Sequence, residues 1–252
     1  MAVIISVHSF RGGTGKSNTT ANLAALLAAQ GKRVGVVDTD IQSPGIHVLF
    51  GLDENTDIGY SLNDYLWGKC AIEKTAHDVT DKLGPGIKGK VFLIPSSIKA
   101  GEIARVLREG YDVSLLNDGF QALIENLKLD YLAIDTHPGL NEETLLSIAI
   151  SDVLVLIMRP DQQDYQGTGV TVEVAHKLGV PRMLMVINKV PEKFNMDEVK
   201  ARIEKIYNCP VGAVIPHSEE MMILASAGVF SLIYPDHPIT NTYKKLIAQI
   251  QA

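Results

Sequence analysis

The segment Arg11-Gly12-Gly13-Thr14-Gly15-Lys16-Ser17 is where this sequence is best equipped to do chemistry. Closely spaced glycines let successive backbone N–H groups turn inward and form a cradle for a phosphate group. Lys16 adds a mobile positive charge for the outer phosphates of a nucleoside triphosphate, and Ser17 a hydroxyl suited to Mg2+. Gly12, Gly13, Thr14, Gly15, Lys16, Ser17 and Asn18 are therefore the expected phosphate-binding residues.

Two acidic segments complete the picture. Asp38-Thr39-Asp40 closes one apolar run, and Asp135-Thr136-His137-Pro138-Gly139 closes another. An apolar strand ending in Asp is the pattern that holds the water shell of a phosphate-bound Mg2+. Ser17, Asp38 and Asp135 are thus the expected metal-site residues, and Asp40 the residue that orients the attacking water. Gly139 leaves its loop free to respond to the terminal phosphate. His137 reads as a loop residue packed against the sheet rather than as a catalytic base.

The elements that must position these residues can be read from the pattern. Apolar, β-branched runs at 2–7, 33–38, 91–95, 131–135, 153–158, 183–188 and 211–215 read as strands buried on both faces. Helical patterns alternate with them, beginning with the Ala- and Leu-rich stretch 17–30 closed by Gly31. Strands alternating with helices mean right-handed βαβ units. The expected fold class is α/β: a doubly wound, mostly parallel twisted sheet flanked by helices. The expected organisation is one domain over 1–252, with 51–90 as an irregular insertion of loops and short helices.

With 252 residues, a 46% hydrophobic fraction and a net charge of −6, the chain reads as an ordinary globular protein. Bulk charge disfavours nucleic-acid binding, so a DNA surface would need a local patch or dimerisation. The two cysteines, Cys70 and Cys209, are far apart and read as unpaired, buried or half-buried thiols. No signal peptide and no bilayer-length apolar stretch is visible, which points to the cytoplasm.

Taken together, the glycine–lysine–serine loop, Asp38-Thr39-Asp40 with Gln42, Asp135-Thr136-His137-Pro138-Gly139, Asn188-Lys189 and Ile215-Pro216-His217-Ser218 resemble the ParA/MinD family of deviant Walker A ATPases. The resemblance spans nearly the whole chain. It implies ATP and Mg2+ as cofactors, a homodimer formed when ATP is bound, and hydrolysis stimulated by an adaptor protein. It implies that Asn188 reads the adenine edge and that Pro216 opens the loop packing on the base. The absence of an Asp two residues after Lys189 also favours adenine over guanine. The family's signature Lys is replaced here by Arg11, expected to reach the partner subunit's nucleotide. Arg159 and Asp161 fall where relatives face the dimer interface.

Such proteins position or partition a cargo, such as a plasmid, chromosome, division machinery or cytoplasmic body. The segment 239–252 carries an apolar stripe with only Lys244 and Lys245 as cations, the pattern of a packing helix rather than a membrane anchor. Lys177, Arg182, Lys193, Lys200, Arg202 and Lys205 are the candidate DNA contacts, but Asp197, Glu198 and Glu204 interleave them as on a solvated helix. The resemblance favours non-specific DNA and a nucleoid-associated location. Competing classes are a metabolic or assembly enzyme on the same fold, or an adaptor that binds nucleotide without hydrolysing it. The retention of Lys16, Asp38, Asp40 and Asp135 argues against the adaptor.

Overall fold

A computed structural model describes residues 2–52 and 58–252. Its first half runs β1 (Val3–His8), α1 (Lys16–Ala29), β2 (Arg33–Asp38), α2 (Ile46–Leu49), α3 (Leu62–Leu66), β3 (His77–Asp78) and β4 (Lys90–Ile94). It continues through α4 (Ala100–Glu109), α5 (Ser114–Leu127), β5 (Tyr131–Asp135), α6 (Glu142–Ala149) and β6 (Val153–Met158). The last part is α7 (Gln162–Lys177), β7 (Arg182–Val190), α8 (Met196–Tyr207), β8 (Val211–Pro216), α9 (Glu219–Leu224), α10 (Phe230–Ile233) and α11 (Pro238–Gln251).

The strands form one sheet in the order β3-β4-β2-β5-β1-β6-β7-β8. Every neighbour pair is parallel except the β3–β4 edge. β1 lies between the strands that wind outward in each direction, so the loop after it sits where ligands enter doubly wound sheets. Within the expected insertion, residues 53–57 lie outside the described residues. The rest holds α3, two 3-10 turns and β3, a two-residue antiparallel edge too short to leave a pattern in sequence.

Alternate residues of each central strand pack on opposite faces. Val153, Val155 and Ile157 of β6 join a core with α1 and α11, whereas Leu154, Leu156 and Met158 join one with α7 and α8. The same alternation in β5 sends Leu132 and Ile134 toward α5. Burial of Leu23 and Leu27 of α1, both fully inaccessible, stabilises the fold by about 1.5–3 kcal/mol each. Ile239, Tyr243, Leu246, Ile247 and Ile250 of α11 are likewise consumed by the core. Among the described residues no helix is long and apolar enough to cross a membrane.

Candidate functional site

The loop between β1 and α1 is built as an anion cradle. α6, α7, α8, α9 and α11 each begin with a side chain accepting a first-turn N–H. α1 does not: its cap is Gly15, at φ 102°, with no side-chain oxygen on the first turn. The leading N–H groups of α1 are thus left for an external acceptor. Lys16, almost fully buried, and Ser17 follow directly, and the loop opens on a cleft of about 770 Å3.

Gly12, Gly13, Gly15, Lys16, Ser17 and Asn18 line this cleft, and Asp40, Asn188 and Pro216 reach it from the ends of β2, β7 and β8. Met221, Met222, Ala225 and Ser226 form the far wall. Thr14 turns away and is buried, its hydroxyl without a partner among the described residues. Asp38 and Asp135 lie side by side in the β2–β5 register, both buried behind the cleft. Asp38 accepts from the N–H groups of Asp40 (3.0 Å) and Gly45 (3.3 Å), so it shapes the β2-end loop from within. Asp135 accepts from the Thr20 hydroxyl at 3.1 Å.

Burial, with Asp135 and Asp40 close by, raises the Asp38 pKa well above the usual carboxylate range. Burial likewise lifts Asp135 to about 6, against the lowering effects of the Ser17 hydroxyl, Lys16 and Thr20. Crowded carboxylates behind a serine hydroxyl form a donor set that fits Mg2+, which keeps several waters and takes few protein ligands. Ser17 and Asp135 are the groups that would hold it, with Asp38 beside Asp135 to take part in its water shell.

His137 makes a contact that the sequence pattern does not show: its Nδ1 lies 2.6 Å from Asp40 Oδ1, linking the loops after β5 and β2. Beneath it, Thr136 donates its hydroxyl to the Val7 carbonyl (3.0 Å), so His8 Nδ1 carries a proton and donates to Thr136 Oγ1 (2.7 Å). Burial, then the nearby Lys16 charge, pushes the His8 pKa down to about 3.

Asn188 also has a use that pattern reading missed. Its Nδ2 donates to the Thr14 carbonyl at 2.8 Å, and its Oδ1 accepts from the Lys189 N–H. Lys189 has a positive φ of 57°, and its Nζ donates to the Gly13 carbonyl at 2.8 Å. Together they brace the phosphate loop from the end of β7. One donor and one acceptor position of the Asn188 amide remain for a base. The only sequence signal for Lys189 was its adjacency to Asn188.

Arg11 is not among the cleft-lining residues; its guanidinium donates to the Gln163 side chain in the first turn of α7. Phe10 lies over Gly167 one turn later, where an added Cβ would overlap its ring. Arg159 forks Asp164 (Nε 3.0 Å, Nη2 3.2 Å), and Asp161 caps the same helix. Of the candidate DNA cations, Lys177 pairs with Glu173, and Lys200 lies 4.0 Å from Glu204. Arg182 caps carbonyls at the end of α11, while Lys193 and Arg202 lie over the rings of Phe194 and Tyr165.

The geometry accords with comparisons to known proteins. The ParA family model, described as NUBPL iron-transfer P-loop NTPase, matches residues 1–251. The chain belongs to the ParA family of P-loop NTPases. It is 29% identical to an uncharacterized ATP-binding protein of Methanocaldococcus jannaschii, over 99% of this chain and 88% of that one. It is 26% identical to the septum site-determining protein MinD of Synechocystis, over 89% of this chain and 80% of the relative. The fold is shared with the cell division ATPase MinD of Pyrococcus furiosus (TM-score 0.83, 23% identity, 100% and 99% covered). A putative plasmid partition protein of Borrelia burgdorferi bound to AMPPNP shares it too (0.79, 21%, 100% of both chains). The two thiols of the chain do not form a paired site of the kind that iron transfer would use. Cys209 is buried beneath β7 and β8, its thiol pushed up to about 11 by burial and Glu204, and Cys70 lies in the segment after α3.

Proposed function

We propose that this protein is an ATP-driven switch that positions or partitions a cargo. It binds ATP with Mg2+ in the cleft after β1, closes into a homodimer while ATP is bound, and releases its surface on hydrolysis to ADP and phosphate. An adaptor protein speeds that step, and the surface is non-specific DNA on the nucleoid. The roles of the relatives, septum-site determination and plasmid partition, support the positioning reading.

The observation that carries the switch reading is the opposite disposition of two charges. Asp40 enters the phosphate cleft of its own subunit, whereas Arg11 lies outside it against α7. A cation held at the lip but away from its own nucleotide suits contact in trans, as an arginine finger makes it. In this reading Lys16 and the N–H groups of α1 hold the phosphates, and Asp40 accepts a hydrogen bond from the attacking water. Mg2+, when bound, neutralises charge on the phosphate oxygens.

Light scattering with ATP, ADP or no nucleotide tests this on wild type, Arg11→Ala and Asp40→Ala. ATP alone should drive a dimer, Asp40→Ala should trap it, and Arg11→Ala should abolish it without loss of nucleotide binding. A protein that stays monomeric with ATP bound in every case sinks the switch reading and favours an adaptor or assembly enzyme. Retention on non-specific duplex DNA only with ATP, falling steeply with salt, tests the surface.

A further inference from the structure

The loops after β2 and β5 are each pinned to the sheet independently. In the first, Asp38 gathers the N–H groups of Asp40 and Gly45. In the second, Thr136 is tied to Val7, and the Thr144 hydroxyl of α6 donates to the His137 carbonyl at 3.2 Å. Between them runs the 2.6 Å contact from His137 Nδ1 to Asp40 Oδ1. A carboxylate oxygen only accepts, so Nδ1 carries the hydrogen. Asp40 Oδ1 also accepts the Ser43 N–H at 3.1 Å.

That oxygen is therefore used twice, and Asp40 Oδ2 is left for a water. Both side chains are largely shielded, 15% exposed for Asp40 and 23% for His137. Asp40 lines the phosphate cleft and His137 does not, so His137 holds Asp40 from behind.

We propose that His137 is a positioning residue for hydrolysis: its Nδ1–H fixes the Asp40 carboxylate so that Oδ2 faces the water that attacks the terminal phosphate. The inference rests on the reading of Asp40 as the water-orienting residue. Without the imidazole, only the Ser43 N–H restrains the carboxylate, and it rotates about its two χ angles. A misplacement of about 1 Å at a reacting group can cost on the order of a hundredfold in rate.

The experiment is single-turnover phosphate release with Mg2+ and ATP, paired with binding of a fluorescent ATP analogue and a melting curve. The proteins are wild type, His137→Ala, His137→Asn, His137→Gln and Asp40→Ala. Asn places an amide N–H near the position of Nδ1, whereas Gln fills the space but carries its amide too far along to reach Asp40. His137→Ala and His137→Gln should lose about tenfold to a hundredfold in rate, with nucleotide affinity within about twofold of wild type. His137→Asn should recover to within about threefold. Wild-type rates in Ala and Gln, or an Asn variant as slow as Ala, overturn the proposal. If Ala does not fold, the contrast between Asn and Gln decides it. Should Asp40→Ala hydrolyse normally, the underlying reading of Asp40 fails and the inference with it. Should Asp40→Ala be inactive while the His137 variants are normal, only the inference fails.

Discussion

Replacing Gly15 by Ala perturbs the phosphate loop in two ways that can be measured separately. Gly15 holds φ 102°, which an L side chain rarely adopts, and that strain costs about 1–3 kcal/mol. The new Cβ would also overlap Asn188 Nδ2 and drive the amide from the Thr14 carbonyl it now meets at 2.8 Å. Leaving that buried group unsatisfied costs about 1–3 kcal/mol more. For a chain of this length each kcal/mol is about 2–4 °C, so the variant should melt roughly 5–20 °C below wild type. A double-mutant cycle by denaturant unfolding without nucleotide separates the contributions. In an Asn188→Ala background the overlap is gone and only the backbone strain remains, giving a coupling of about 1–3 kcal/mol. Gly13→Ala, at φ 74° with open space around its Cβ, isolates strain alone. If Gly15→Ala costs the same with and without the Asn188 side chain, the brace between β7 and the phosphate loop does not act as described.

Two further outcomes follow from buried groups. His8 titrates near 3 when folded against 6.5 when unfolded, so between those values the unfolded chain binds the extra proton and stability falls as pH falls. From pH 7 to pH 5 wild type should lose about 2 kcal/mol more than His8→Asn by denaturant unfolding. Asp135, lifted to about 6, acts with the opposite sign in both proteins, so the difference isolates His8; equal losses would contradict it. Cys209, buried and held near 11, should react with a thiol reagent at pH 8 only after unfolding, while half-buried Cys70 reacts in the native protein. Rapid modification of both would show that the sheet edge around β8 opens readily.

The phosphate loop and the parallel sheet were legible because their signals are local. The glycines, Lys16 and Ser17 are contiguous, and strands buried on both faces are apolar along most of their length, which marks β1, β2, β5 and β6 within a residue or so. β3 was illegible because two residues on a sheet edge carry no periodicity. Asp38 and Asp135 stood out because each closes an apolar run, and the strand register sets them side by side.

What sequence alone could not hold was the pairing of groups far apart along the chain. His137 meets Asp40 because the register of β2 on β5 sets Asp38 opposite Asp135, carrying the two loops to the same height above the sheet. Arg11 turns to Gln163 because α7 begins beside the loop that follows β1. Asn188 and Lys189 grip the carbonyls of Thr14 and Gly13 from the far side of the same loop. Residue type and spacing determine which chemistry is available. Which oxygen of Asp40 stays free, and which cation leaves its own cleft, is decided only when sheet register and helix packing bring distant backbone segments within hydrogen-bonding distance.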